Sequence, residues 1–397
     1  MADAGGAERS AGSAGSMRTG YPRGVLIVQD RSGCGELERF LGRELALPVY
    51  RAGAEPGSGA LVGEATLSRC GFAVCVLTAT RAMADGNRRA AEELVQLTGL
   101  VQGRYGFGRV AILAEEGCEM PSNIAGLIRL DFAPGRVGSV FPELERMLAR
   151  EAFLPVARAG VGGLGCGGAD RADRGPGWLG GPVAGLAGLL EHRTPSGRVG
   201  RSAGFQALVR ARVARTRARA GLRGSSAEGG GADRGRRPGP PAGGLFVTHG
   251  HQGDWRVVQA FVEERFAVSA YSFETRCWGS RPVTEALEGY LRRCSAAICV
   301  LTAEDVTADG VRVARQNLVH EVGLFQGRHG PGSVLVLAEE GCASRPVGAR
   351  RVGYSCLAPE RAFGELERML RAWGFTARRW CVGAGRRDQA GGLRRRR

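Results

Sequence analysis

Short, wholly apolar runs alternate along this chain with stretches in which apolar residues recur every three or four positions. In the second half, residues 245–248 read as a strand and 254–266 as a helix. A strand over 268–271 and a helix over 282–293 follow, the latter opened by Pro282. An unbroken apolar strand covers 296–301, and a long helical pattern runs through 314–327. A strand at 333–337, a short one near 352–356 and a helix over 359–373 close the unit. Strands alternating with helices of this length predict βαβ units and a parallel sheet.

The first half repeats this plan. The segment CGFAVCVLT at 70–78 returns as CSAAICVLT at 294–302, an offset of 224. The same offset relates LVQGR at 100–104 to LFQGR at 324–328, and LAEEGC at 113–118 to LAEEGC at 337–342. Upstream, Phe40 and Tyr50 match Phe261 and Tyr271 at an offset of 221. Two homologous α/β domains of about 125 residues are therefore predicted, each a flavodoxin-like, doubly wound parallel sheet. The predicted boundaries are an N-terminal stretch 1–23, a domain 24–153, a Gly/Arg-rich flexible linker 154–244, a domain 245–375 and a basic tail 376–397.

Within 314–327, Leu318, Val322 and Phe325 fall on one helical stripe. Asn317 and Glu321 lie four apart on a neighbouring face and can meet one ligand. Gly323 is costly inside a helix, which predicts a close backbone approach there. Ligands of open α/β sheets bind beyond the carboxyl ends of the strands. Three segments converge on that rim: His249-Gly250-His251 after the first strand, Thr302 to Asp305 after the third, and the helix of Glu321. Gly250 lets a backbone approach a phosphate or ribose. His249 and His251 equally fit two polar loop residues, and with Cys277 as the nearest further ligand no metal site is expected.

Charge changes the picture only locally. Residues 151–244 hold 15 Arg against 6 acids and residues 376–397 hold 8 Arg against 1 acid, so these two stretches carry the whole net charge of +16. A nucleic-acid-binding core is not implied. In the linker, Phe205, Leu208, Val209 and Val213 keep helical spacing among arginines, the pattern of a solvated helix or of one touching an anionic surface. The sequence has no Lys, which removes Schiff-base and Walker-type lysine chemistry. Eleven Cys without a C-x-x-C pair read as reduced thiols of a cytoplasmic protein. Residues 1–23 lack the apolar core of a secretory signal, and no apolar run approaches a membrane span.

Taken in order, His249-Gly250-His251, LTAEDV at 301–306 and ARQNLVHEVGLF at 314–325 resemble the TIR-like nucleotide-binding family, the TIR effector domains of bacterial CBASS and Pycsar anti-phage systems. The resemblance covers 245–375 and implies a flavodoxin-like fold that hydrolyses NAD to nicotinamide and ADP-ribose without a further cofactor. It assigns the family's catalytic Glu to Glu321. Such chemistry needs a carboxylate beside a developing oxocarbenium ion, while neutral nicotinamide leaves without an acid. Arg315 or Arg281 would pair with the pyrophosphate, Asn317 would orient the carboxylate or a ribose hydroxyl, and Trp278 would stack on a ring or pack. Self-association through TIR-like domains is also implied.

The first copy resembles the family only in its second half. Asn317, His320 and Glu321 correspond to Glu93, Gln96 and Leu97, so that copy has no carboxylate at the decisive position. Glu93, one turn earlier, sits about 6 Å along the helix and cannot substitute. Leu94, Gly99, Leu100, Gln102 and Gly103 nevertheless keep the packing pattern. The first copy is thus expected to fold without catalysing, in a regulatory or pairing role. The competing expectation is a non-catalytic module for nucleotide binding or self-assembly.

Overall fold

The computed structural model describes residues 23–30, 35–53, 62–124, 127, 129–154, 243–266, 268–273 and 282–377. Cys277, Trp278, Arg281 and the Phe205 to Val213 pattern lie outside them.

In the first unit, β1 (Gly24–Gln29), β2 (Val49–Gly53), β3 (Cys70–Leu77), β6 (Val110–Glu115) and β8 (Arg129–Phe132) form one parallel sheet in the order β2-β1-β3-β6-β8. The helices are α1 (Gly35–Arg39), α2 (Glu64–Arg69), α3 (Glu92–Tyr105) and α4 (Phe141–Arg150). In the second unit, β9 (Gly244–His249), β10 (Ala270–Tyr271), β11 (Cys294–Leu301), β14 (Val334–Glu339) and β15 (Arg350–Tyr354) repeat the order as β10-β9-β11-β14-β15. Its helices are α5 (Asp254–Arg265), α6 (Val283–Arg293), α7 (Gln316–His329) and α8 (Phe363–Ala372). Both are flavodoxin-like units. The central strands are apolar throughout because helices cover both sheet faces, so alternation would expose nothing.

Two details depart from the sequence reading. The strand predicted over 268–271 narrows to Ala270–Tyr271, and the last helix opens with a 3-10 turn, Pro359–Ala362. Short hairpins also interrupt the loop before each long helix: β4 (Arg81–Ala82) with β5 (Arg88–Arg89), and β12 (Asp305–Val306) with β13 (Arg312–Val313). Two-residue strands carry too little periodicity to be read in advance.

The larger finding is how the units meet. Helices α3 and α7, equivalent at the 224 offset, pack directly against each other. A Cβ added to Gly99 would strike the His320 carbonyl, and one on Gly323 would strike that of Gln96. In the same way Gly103 faces the Leu324 carbonyl and Gly327 that of Leu100. Each contact has its mirror at the repeat offset, which is the signature of an isologous two-fold interface. Here it is closed within one chain.

The polar contacts obey the same symmetry. Gln96 Nε2 donates to Gln326 Oε1 at 2.7 Å, and the His320 Nε2 to Gln102 Oε1 contact is 2.6 Å. At the hairpins, Met83 and Thr307 pair antiparallel on the pseudo-axis, flanked by Ala84 N to Val306 O (2.9 Å) and Ala308 N to Ala82 O (3.0 Å). Helices α3 and α7 both end at a glycine of positive φ, Gly106 and Gly330; only such a residue turns the chain there without strain. Val319 of α7 joins the apolar cluster of the first unit, so the two cores touch.

Candidate active site

Glu321 lies in the middle of α7, where the stripe of Leu318, Val322 and Phe325 faces its own sheet and Gly323 faces α3. Its side chain is 4% exposed. Oε2 accepts a short hydrogen bond from Thr248 Oγ1, at the carboxyl end of β9. Oε1 accepts one from Asn123 Nδ2 at 3.3 Å, and Asn123 belongs to the first unit. Burial pushes this carboxyl up to about 7, while the two hydrogen bonds and the Arg315 guanidinium hold it back from rising further. A carboxyl poised near neutrality in a cleft is typical of a working group.

Around it lies a small cavity of about 60 Å³ lined by Val247, Thr248, His249, Phe273, Arg315, Asn317, Leu318 and Glu321 itself. It lies at the carboxyl end of β9, where Glu321 meets Thr248, the residue paired with Cys299 of β11. Between β9 and β11 the strand order reverses, the position at which α/β sheets take their ligands. Ligand pockets commonly start near 300 Å³, so among the described residues this cavity encloses room for only a fragment of a nucleotide.

The other residues singled out in the sequence divide into two groups. His249 lines the cavity, with its ring stacked on Trp255 at 3.8 Å between centroids and Nδ1 against the Gly250 carbonyl at 2.7 Å. Arg315 also lines it and donates Nη1–H to His251 Nε2 at 3.0 Å, which leaves the His251 Nδ1 proton for Glu304 at 3.1 Å. Thr302 does not face the cavity with a free hydroxyl; it donates to Glu304, whose Oε1 also accepts from His251 N at 2.7 Å. Glu304 thus orders the whole loop. A Cβ at Gly250 would overlap Glu304 and Thr302, so the glycine answers a packing need and not only ligand approach.

The remaining two residues serve the seam. Asp305 pairs with Arg89 of the first unit at 2.6 Å. Asn317 does not touch Glu321: its Oδ1 accepts from Ser122 N at 2.8 Å and its Nδ2 donates to Ser122 Oγ at 2.6 Å. The carboxamide beside the carboxylate is that of Asn123. Sequence reasoning missed it because a contact spanning 198 positions leaves no local pattern, and missed Thr248 because it closes an apolar strand. Glu304 stood within a quoted motif, its clamp role unsignalled.

His320, next to Glu321, is fully buried and held neutral, its value driven down to about 3 by burial. Asn123 Nδ2 lies 3.1 Å from its Nδ1, so Nδ1 accepts and Nε2–H donates to Gln102. Cys299, on β11 nearby, is raised well above the usual thiol range by burial and by Glu321, and remains a thiol. Among the described residues no cluster of His, Cys, Asp and Glu is arranged to hold a metal ion, and no helix is long and apolar enough to cross a membrane.

Residues 244–346 match the family model described as "CAP12/Pycsar effector protein, TIR domain". The second unit therefore carries a TIR-like domain of the kind found in those effectors, and the match contains Thr248, His249, Arg315 and Glu321. A curated protein of Escherichia coli (strain K12), "Uncharacterized protein YuaY", is 34% identical over 98 residues, which is 23% of this chain and 33% of that protein. The chain thus spans about a third of the length of the curated relative it matches.

Proposed function

We propose that the second unit cleaves the N-glycosidic bond of NAD, releasing nicotinamide and ADP-ribose, as the effector activity of a TIR-type defence protein. The observation that carries this reading is the Glu321 carboxyl, buried at the sheet's topological switch point and held near neutrality inside a region that matches the TIR effector model.

The chemistry follows from that placement. As the C1′–N bond breaks, its electron pair goes to the pyridinium ring, which leaves as neutral nicotinamide. Positive charge moves to C1′ and the ring oxygen of the ribose. The Glu321 carboxylate stabilises this charge, and the surrounding low polarity makes the attraction stronger than in water. Water then adds to C1′ and loses its proton to solvent. Arg315, which lines the cavity, meets the pyrophosphate. The first unit, with Leu97 in place of Glu321, makes no site of its own.

One observation favours the alternative of a non-catalytic binding or assembly module: the cavity beside Glu321, about 60 Å³ among the described residues, is small for a nucleotide. The two readings separate when purified full chain is incubated with NAD and nicotinamide is followed chromatographically. Release above the spontaneous rate supports hydrolysis. Saturable NAD binding with no release at any pH from 6 to 9 supports the module.

A further inference from the structure

The pseudo-two-fold seam makes two equivalent positions of every kind, which allows each half to act as a control for the other. At the repeat offset Gln96 corresponds to His320, and Asn123 to Val347. The contacts obey the correspondence. Gln96 engages the Val347 backbone, accepting from its N–H at 2.8 Å and donating to its carbonyl at 2.7 Å, while His320 engages Asn123. Strand pairing relates Thr248, beside Cys299, to Val28, beside Cys75. So the half carrying Glu321 has Thr248, Glu321 and Asn123, and the other half has Val28, Leu97 and Val347. All three polar groups are present together or absent together. The only half that faces a loop carboxamide is the half that holds a carboxylate.

We propose that Asn123, reaching across from the first unit, is a positioning residue for Glu321, and that the first unit exists in part to present it. The assignment rests on the hydrolytic reading above. Asn123 is itself buried, 5% exposed. Its amide nitrogen lies within reach of three acceptors, His320 Nδ1 at 3.1 Å, Glu321 Oε1 at 3.3 Å and the Asn317 carbonyl at 3.4 Å. His320 in turn meets Gln102 Oε1 on α3 through Nε2, so the amide, the imidazole and α3 form one buried chain of contacts. With the nitrogen toward Glu321 the amide favours the ionised carboxylate over the protonated one. The other titratable or charged groups around Glu321 are Arg315, His249, Cys299 and His320. Arg315 also favours ionisation, whereas His320 and Cys299 stay uncharged in the working range.

The test replaces Asn123 by the residue its own counterpart carries, Asn123→Val, in the full chain. The acidic limb of kcat/KM against pH is expected to move up by about half a unit or more, giving at least about threefold lower kcat/KM at pH 6 and near-parity at pH 9. A merely structural role would instead lower activity by one factor at every pH. Asn123→Ser, whose hydroxyl stops short of Glu321, is expected to move the limb in the same direction and covers the case in which the valine variant fails to fold. Carboxyl carbon NMR of Glu321, assigned by its loss in Glu321→Gln, reads the same shift without any turnover. If the wild type released no nicotinamide but Asn123→Val still raised the Glu321 titration, hydrolysis would fail and the positioning contact would stand. A titration unchanged in both folded variants would overturn the contact.

Discussion

At the scale of single residues, Glu321 is a group whose folded environment opposes its charge. Its carboxyl rises from the ordinary 4.5 to about 7, chiefly through burial. Between those values the folded chain holds a proton that the unfolded chain releases, so the contribution to stability is complete below about pH 4.5 and is lost as pH rises through about 7. A shift of this size corresponds to roughly 3 kcal/mol. Glu321→Gln keeps the shape without the charge: its amide oxygen can accept from Asn123 while its NH2 donates to a Thr248 hydroxyl turned to accept. It is expected to match the wild type in stability near pH 4.5 and to exceed it by about 3 kcal/mol above pH 8. Chemical denaturation at the two pH values reads this, and equal stability at pH 8 would mean that the carboxylate is better solvated than its burial indicates. In activity the same group gives a rising limb near pH 7 in kcat/KM. Because bound NAD places a pyridinium cation close by, the limb of kcat should lie lower. A rate that falls with pH through this range would assign the carboxyl an acid role instead.

At the scale of elements, α3 and α7 explain both what was legible and what was not. The glycine at position 323 announced a close approach in the sequence, and its repeat partners Gly99, Gly103 and Gly327 complete the pattern; the element that approaches was not legible, since nothing local says which backbone arrives. Parallel strands were readable as apolar runs, β10 included though shorter than expected, whereas the hairpins were too short to show a period. Gly323→Ala gains about 1 kcal/mol of helix propensity but drives a methyl into the Gln96 carbonyl, an overpacking cost of about 1–3 kcal/mol. The net effect should be a loss of stability that deepens for Gly323→Val, with activity falling further than the melting temperature because Asn123 moves with the seam. A stabilised Gly323→Ala would contradict the tight packing of these helices.

At the scale of the whole molecule, two flavodoxin-like units share a seam built from their long central helices, with the Arg89–Asp305 ion pair and the paired hairpins beside it. Since Gly99, Gly103, Gly323 and Gly327 bring the two helices into backbone contact, calorimetry is expected to show one cooperative transition for both units; two well-separated transitions would mean that the seam contributes little. The repeat itself was plain from the 224 offset. That its halves pair in one chain, and that Asn123 of the first unit reaches Glu321 of the second, required the contacts. The account turns on Glu321, and the most direct measurement is nicotinamide release from NAD by wild-type and Glu321→Gln chains at pH 8, where the wild-type group is ionised. The prediction is release by the wild type and at least a hundredfold less by the folded variant, a loss within the range of a removed transition-state charge contact. Undiminished release by the variant would contradict it.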